Sequence, residues 1–275
     1  MSRPIIIVFG NEKGGTGKST TAVQVAIGLM KQGHAVATLD LDLRQGSLTR
    51  YLENRAGRNG LPLPVHTGIL PSNLHHPRWS ADANQTELDR ALKGFTRADF
   101  IVIDTPGSDT QLSRLAHARA DVLVTPLNDS FLDLDVLARI DPKTRTFLGP
   151  SVYSDMLAEI GETRAKAGAR PIDWIVMRNR LGHAEARNKR EMTETMTMLS
   201  ERLGFRMARG FGERTVFREL FLSGLTMFDL GAAAGGPPLS MSHIAGRHEA
   251  RGLIETILSG PSVAALMPPA RAEAA

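Results

Sequence analysis

Pro4-Ile5-Ile6-Ile7-Val8-Phe9-Gly10 is a short apolar run, rich in β-branched residues, with no polar position alternating through it. A strand with one wet face alternates apolar and polar residues, whereas a continuous run marks a strand covered on both faces, as in parallel sheets. Similar runs recur at Ala35–Leu41, Phe100–Asp104, Val122–Pro126 and Trp174–Met177. Helical periods lie between them. Ala22, Val25, Ala26, Leu29 and Met30 fall at i, i+3, i+4, i+7 and i+8, and Met192, Met196, Leu199 and Leu203 line a stripe of another helix. Strands alternating with helices are joined by right-handed crossovers, so the expected fold class is α/β, a doubly wound, mostly parallel sheet flanked by helices.

Between Arg55 and Asn84 the alternation stops, with Gly57, Gly60, Pro62, Pro64, Gly68, Pro71 and Pro77 breaking any period. No strand–helix series of another type begins after it, so this stretch reads as an irregular excursion from a single domain spanning residues 1–258. Beyond Leu258 the composition turns to Gly-Pro, Pro-Pro and Ala, which predicts a frayed tail over 259–275.

Composition narrows the class. With 5% aromatics among 275 residues, the core has to come from Val, Ile, Leu, Ala and Met. The absence of cysteine excludes disulfides, zinc ribbons, thiol catalysis and Cys-held iron–sulfur clusters, and it permits a reducing compartment. The first apolar run is too short for a secretory signal, and no 18-residue apolar segment occurs. The expectation is a cytoplasmic protein without a membrane span. The pair His75-His76 and the two tryptophans, Trp79 and Trp174, show no ligand spacing, and the histidine pair is expected to face solvent.

The first strand run leads into Gly10-Asn11-Glu12-Lys13-Gly14-Gly15-Thr16-Gly17-Lys18-Ser19-Thr20, and the first helical period follows directly. The usual phosphate loop, G-x-x-x-x-G-K-[ST], needs Gly at position 12, where Glu12 stands. The chemistry is complete nonetheless. Gly14, Gly15 and Gly17 let backbone N–H groups, including those of Thr16 and Thr20, converge on phosphate at a helix N-terminus. Lys18 reaches the β and γ phosphates of a nucleoside triphosphate, and the Ser19 hydroxyl ligates Mg²⁺. Lys13 is redundant within its own loop, which points to a nucleotide held by a second subunit.

Two further carboxylate sites follow. Asp40-Leu41-Asp42 ends the second run at the carboxyl end of a strand, where open α/β sheets bind their ligands. Ile101-Val102-Ile103-Asp104 is an apolar strand ending in a carboxylate, the form that holds Mg²⁺ through its water shell, and Thr105-Pro106-Gly107 follows it. After the last run, Asn179 and Arg180 stand where an amide can offer both donor and acceptor to an adenine edge, or simply form a polar turn.

These segments resemble the deviant Walker A ATPases of the MinD/ParA family. The likeness rests on the doubled lysine of Lys13-Gly14-Gly15-Thr16-Gly17-Lys18, on Asp40-Leu41-Asp42 and on Thr105-Pro106-Gly107, and it runs from Ile5 to about Leu258. It implies an ATPase that holds ATP between two protomers, with Lys13 crossing to the partner's nucleotide, Asp42 positioning the attacking water, and Thr105–Gly107 sensing the γ-phosphate. Asp40 supports either Mg²⁺ or the loop. Within the family, the further segments Thr125-Pro126-Leu127-Asn128-Asp129-Ser130-Phe131 and Phe217-Arg218-Glu219-Leu220-Phe221 are closest to the branch that positions the division site. That branch binds duplex DNA without sequence preference, is captured by ParB, inhibits FtsZ and associates with the nucleoid and cell poles. ParA-type chromosome or plasmid partition is the alternative. A metabolic ligase of the dethiobiotin synthetase kind shares the fold, but Lys13 argues against it. Residues 260–269 carry two proline breaks and no basic residue, which argues against a MinD-like membrane helix.

The charge is open to two readings, a DNA-binding face or an ordinary solvated face with i,i+4 pairs. Net charge is +4, yet from Arg178 to Arg218 ten basic residues face five acidic ones, while the remainder holds 23 bases and 24 acids. The excess is therefore local. Arg187, Lys189, Arg190, Arg202, Arg206, Arg209, Arg214 and Arg218 are the candidate DNA contacts, and an arginine-rich cluster poor in aromatics suits duplex phosphates better than base stacking. Arg187 sits about half a helical turn from the Met192/Met196 stripe and is expected to face solvent.

Overall fold

A computed structural model describes residues 3–72, 77–181, 186–231 and 239–267, with the backbone alone at 77–81 and 186–189. Its strands are β1 (Ile5–Phe9), β2 (Val36–Asp40), β3 (Val65–Gly68), β4 (Phe100–Asp104), β5 (Val122–Asn128), β6 (Ala138–Ile140), β7 (Phe147–Pro150), β8 (Asp173–Asn179) and β9 (Arg206–Ala208). Its helices are α1 (Lys18–Lys31), α2 (Ser47–Ala56), α3 (Pro77–Gly94), α4 (Gln111–Arg119), α5 (Val152–Lys166), α6 (Ala186–Leu203), α7 (Val216–Ser223), α8 (Met241–Leu258) and α9 (Pro261–Ala264). Seven strands form a parallel sheet in the order β3-β2-β4-β1-β5-β8-β9, and β6 and β7 form a separate antiparallel hairpin.

The apolar runs behave as continuous runs should, because the pleat sends alternate residues to opposite faces and both faces are covered. Val8, Leu39, Ile103, Leu123 and Val176 pack with Leu88 of α3, Ala116 of α4, Met156 of α5 and the Met192/Met196/Leu199 stripe of α6. Ile7, Phe9, Val102, Val124 and Ile175 pack on the other face with Ala22, Val25, Ala26 and Leu29 of α1 and with Leu253, Ile254 and Ile257 of α8. The sheet is thus doubly wound, as expected.

Strand order reverses at β1: the chain passes from β1 to β2 on one side and from β4 to β5 on the other. In open α/β sheets this switch point opens a crevice at the carboxyl ends of the strands. Register aligns the chemistry there, with Phe9 opposite Asp104 and Asp40 opposite Asp104.

Two expectations change. The stretch from Arg55 to Asn84 is not irregular throughout: it holds the end of α2, the edge strand β3 and the first turns of α3. β3 escapes a periodicity search because it is four residues long, Val-His-Thr-Gly, with Val65 67% exposed; its place comes from parallel pairing with β2. Nor does order end at Leu258. Pro at the first position of α9 supplies a helix start, Val263 is fully buried, and the Ser262 hydroxyl donates to the Pro171 carbonyl at 3.3 Å. Residues 268–275 lie outside the described residues, as does His75-His76.

Candidate active site

The loop between β1 and α1 is anchored from below. Gly10 N–H donates to Val124 O at 3.0 Å, the Asn11 amide donates to Pro126 O at 2.6 Å, and Lys13 N–H donates to the Asn11 side-chain oxygen at 2.7 Å. Gly17, at φ 89°, turns the chain into α1 in the left-handed region that glycine alone enters freely. A Cβ at Gly17 would stand 2.1 Å from the Asn179 amide nitrogen, so the loop and the end of β8 touch there. The Asn179 amide donates to Thr16 O at 2.8 Å, and its oxygen accepts from Arg180 N–H at 2.9 Å. Asn179 therefore clamps the loop to β8, a role the polar-turn and adenine readings both lacked. Arg180 itself sits at φ 55°, in the left-handed region that residues with a Cβ seldom occupy.

Gly14–Thr20 floor a cleft of 520 Å³ whose far wall is Asp42, Gln45 and Thr105–Ser108. Gly107 comes so close to Gly14 that a Cβ would meet its Cα at 2.9 Å, so the segment after β4 lies directly on the phosphate loop. Lys18 points inward, 7% exposed, with its ammonium donating to Lys13 O at 2.9 Å. Burial holds its pKa below the usual lysine value, against the pull of the Asp104 and Asp42 carboxylates. Asp42 is raised, again chiefly by burial.

Asp104 is 1% exposed, and burial pushes it up to about 7 although the Ser19 hydroxyl donates to it. Its Oδ1 and the Thr16 hydroxyl are buried without a partner, which is unusual because buried polar atoms are nearly always bonded. An unpaired carboxylate oxygen beside a serine hydroxyl and a glycine-rich amide cradle is a donor set that fits Mg²⁺ and nucleotide phosphates. Ser19 and Asp104 would hold the cation, directly or through its waters; when bound, it neutralises charge on the transferred phosphoryl group.

Asp40 is different. Its two oxygens accept from Asp42 N–H at 2.9 Å, Thr49 N–H at 3.0 Å and the Thr49 hydroxyl at 2.8 Å. Of the two roles open to Asp40, metal support and loop support, the structure shows the second: it fastens the turn that carries Asp42 to α2. Thr49 went unnoticed in the sequence because nothing in its neighbourhood marks it.

A second cavity of 340 Å³ continues from the first past Gly17, Thr20 and Arg180, and is walled by Phe211, Phe217 and Phe221. Phe211 and Phe217 stack at 5.4 Å with planes 7° apart. Their size and flatness suit a purine base beside the phosphate cleft. Sequence reasoning singled out the Phe217–Phe221 segment but missed this wall; a further signal was an aromatic between two glycines, Gly210-Phe211-Gly212, of which Gly210 approaches the Arg178 carbonyl so closely that no Cβ would fit.

The basic segment divides in three dimensions. Arg214 pairs with Glu249 at 2.8 Å, and Arg214 and Arg218 line the aromatic cavity. Arg206 pairs with Asp173 at the opposite end of β8 and also donates to Thr256 O. Arg202 lies over the Phe147 ring at 5.9 Å, and Arg209 bonds His248 at 2.7 Å. Arg190 is exposed and pairs loosely with Glu194 at 3.6 Å. The side chains of Arg187 and Lys189 lie outside the described residues. A linear cluster of ten charges is thus not one patch: Arg206 and Arg214 are committed to carboxylates, and Arg218 borders the aromatic cavity.

A glycine-rich loop with two lysines at the switch point of a parallel sheet, facing Asp42 and Asp104, defines a P-loop ATPase of the deviant Walker A class. The model of the family "ATPase MipZ" matches residues 5–260, and the chain belongs to the MipZ family of ATPases. It is 28% identical over 219 residues to the chromosome-partitioning ATPase Soj of Thermus thermophilus, covering 66% of this chain and 83% of that protein. It is 32% identical over 175 residues to the septum site-determining protein MinD of Helicobacter pylori, covering 56% and 65%. Among solved structures, the ATP complex of McdA from Cyanothece superposes with a TM-score of 0.62 at 19% identity, over 92% of this chain and 97% of that one, which shows the shared fold. The protein is an ATPase, with ATP as its nucleotide.

Proposed function

We propose that this protein is an ATP-controlled monomer–dimer switch that positions the division site, binding duplex DNA without sequence preference as a dimer and engaging ParB and FtsZ. One observation carries the switch. Lys18 is buried and occupies the phosphate cleft of its own chain, whereas the Lys13 side chain is 37% exposed and bonds outward to residues 132 and 133. An ammonium turned away from its own cleft is available to a nucleotide in a facing subunit. ATP held between two such faces, with Lys13 crossing and Asp42 orienting the water, makes hydrolysis depend on dimerisation.

Sedimentation of point variants with a non-hydrolysable ATP analogue tests this. Lys18→Ala loses nucleotide binding; Lys13→Ala binds and stays monomeric; Asp42→Ala binds and dimerises with ATP but does not turn it over. A Lys13→Ala protein that dimerises as the parent does ends the sandwich reading.

Support for DNA is the local charge excess, best placed at Arg190 on α6, which is exposed and only loosely paired with Glu194; Arg187 and Lys189 stand on the same helix, and the cluster's other arginines contact carboxylates, rings or the cavity. Each phosphate contact removed flattens the slope of log K against log salt by about 0.9. Arg187→Ala/Arg190→Ala is therefore expected to flatten that slope by about 2 per protomer and leave ATP turnover unchanged; an unchanged slope removes α6 from the DNA face. The similarity to Soj favours one second reading, a ParA-type partition ATPase. Adding the protein with ATP or ADP to polymerising FtsZ separates the two, because only the division-site reading expects ATP-dependent inhibition. No helix among the described residues is long and apolar enough to cross a membrane.

A further inference from the structure

Lys13 is not idle in the single chain. Its ammonium donates to the Leu132 carbonyl and lies 3.3 Å from Asp133 Oδ1. The acceptor is rigidly built. Asp133 Oδ2 accepts from Asn128 N–H at 3.0 Å, Asp133 N–H donates to Ser130 O at 3.0 Å, and the Ser130 hydroxyl accepts from Leu132 N–H at 3.2 Å. The turn as a whole is fixed to β8, since Asp129 N–H donates to Asn179 O at 3.0 Å and Arg178 pairs with the Asp129 carboxylate at 2.9 Å. Asp133 is 13% exposed, enough shelter to strengthen the pair relative to a fully wet one. Next to it Leu132 stands 74% exposed.

We propose that Asp133 and the Leu132 carbonyl form an intramolecular seat for Lys13, which the lysine must leave before it can reach a nucleotide in a second copy of this chain, so that Asp133 sets the threshold for ATP-dependent dimerisation. The inference rests on the sandwich reading above. It adds a competitor: each protomer offers its own lysine an acceptor that closes before the partner arrives. A dimer needs two free lysines, so if a fraction f of monomers has Lys13 free, the apparent dissociation constant rises by 1/f². A seat filled in about two thirds of monomers raises it roughly ninefold.

Asp133→Asn removes the charge but keeps an oxygen to accept from Asn128 N–H, so the turn is retained. Sedimentation with a non-hydrolysable ATP analogue and Mg²⁺ is expected to show a dimer dissociation constant about tenfold lower than the parent's. Asp133→Glu, which keeps the charge, is expected to return most of the way to the parent value, and in a Lys13→Ala background Asp133→Asn is expected to change nothing. Asp133→Ser offers a second neutral acceptor should the Asn variant fold poorly. A parent that dimerises while both neutral variants show its dissociation constant or a higher one, with nucleotide affinity intact, overturns the seat and leaves the sandwich standing. A parent that stays monomeric with the analogue overturns both.

Discussion

Replacing Gly17 with alanine probes the contact that ties the phosphate loop to β8. Two costs arise from the structure. Alanine at φ 89° is left-handed, worth roughly 1–2 kcal/mol. The new Cβ would lie 2.1 Å from the Asn179 amide nitrogen, so the amide must turn away and give up its bond to Thr16 O, worth about 1 kcal/mol. An empty loop can relax to escape both, and nucleotide must then rebuild it. The total of about 2–3 kcal/mol appears as a roughly 30- to 150-fold weaker affinity for Mg-ADP, measured by titration calorimetry. Asn179→Ala alone loses only the bond, a loss of about fivefold. The double variant is expected to match Gly17→Ala, because the bond has been lost already; the two changes are coupled by about 1 kcal/mol. Additive losses, or a Gly17→Ala protein that binds like the parent, would refute the clamp.

His117 yields a stability prediction. It is buried, donates from Nδ1 to Ser113 O and accepts at Nε2 from the Tyr153 hydroxyl, so it is held neutral and burial lowers its pKa to about 4. Below pH 6.5 the unfolded chain takes up a proton that the folded chain refuses, so stability is full above 6.5 and falls toward 4, by about 2 kcal/mol at pH 5 relative to pH 7. Urea unfolding of His117→Gln is expected to lose that share of the pH dependence; an unchanged slope refutes it. Arg55, fully buried, bonds both oxygens of Asp229 along with Pro62 O and Gly224 O. Arg55→Ala leaves that carboxylate buried and is expected to cost about 3–5 kcal/mol in denaturant, whereas Arg55→Met with Asp229→Leu costs much less; equal losses would show that the pair is incidental. Asp104→Asn is expected to retain nucleotide binding but make it insensitive to Mg²⁺ removal by chelator, and a variant that still tightens with Mg²⁺ places the cation elsewhere.

The inner strands could be read from the chain because burial on both faces demands unbroken apolar runs. The edge strands β3 and β9 could not: each is short and faces solvent on one side, and its pairing with β2 or β8 is a long-range fact. The phosphate loop, Asp42 and Asp104 were legible because each motif is contiguous and ends a strand. Thr49 and Asp133 act through partners distant in sequence, so no local pattern announces them, and the segments that hold the phenylalanine wall do not say that their rings meet. The basic segment failed for the converse reason, since neighbours in sequence were dealt to opposite ends of the sheet.

Because β2 and β4 are parallel, hydrogen-bonded neighbours, the long connection from 41 to 99 leaves the crevice at the carboxyl end of β2 and re-enters the sheet at the amino end of β4. The separation of Asp42's turn from Asp104 is set by backbone pairing, with Leu41 N–H donating to Asp104 O at 2.9 Å, and by the bonds that tie Thr49 of α2 to Asp40. New surface can therefore be exchanged between β3 and α3, where a different loop or a partner-binding element leaves Asp42 and Asp104 where the sheet and α2 hold them.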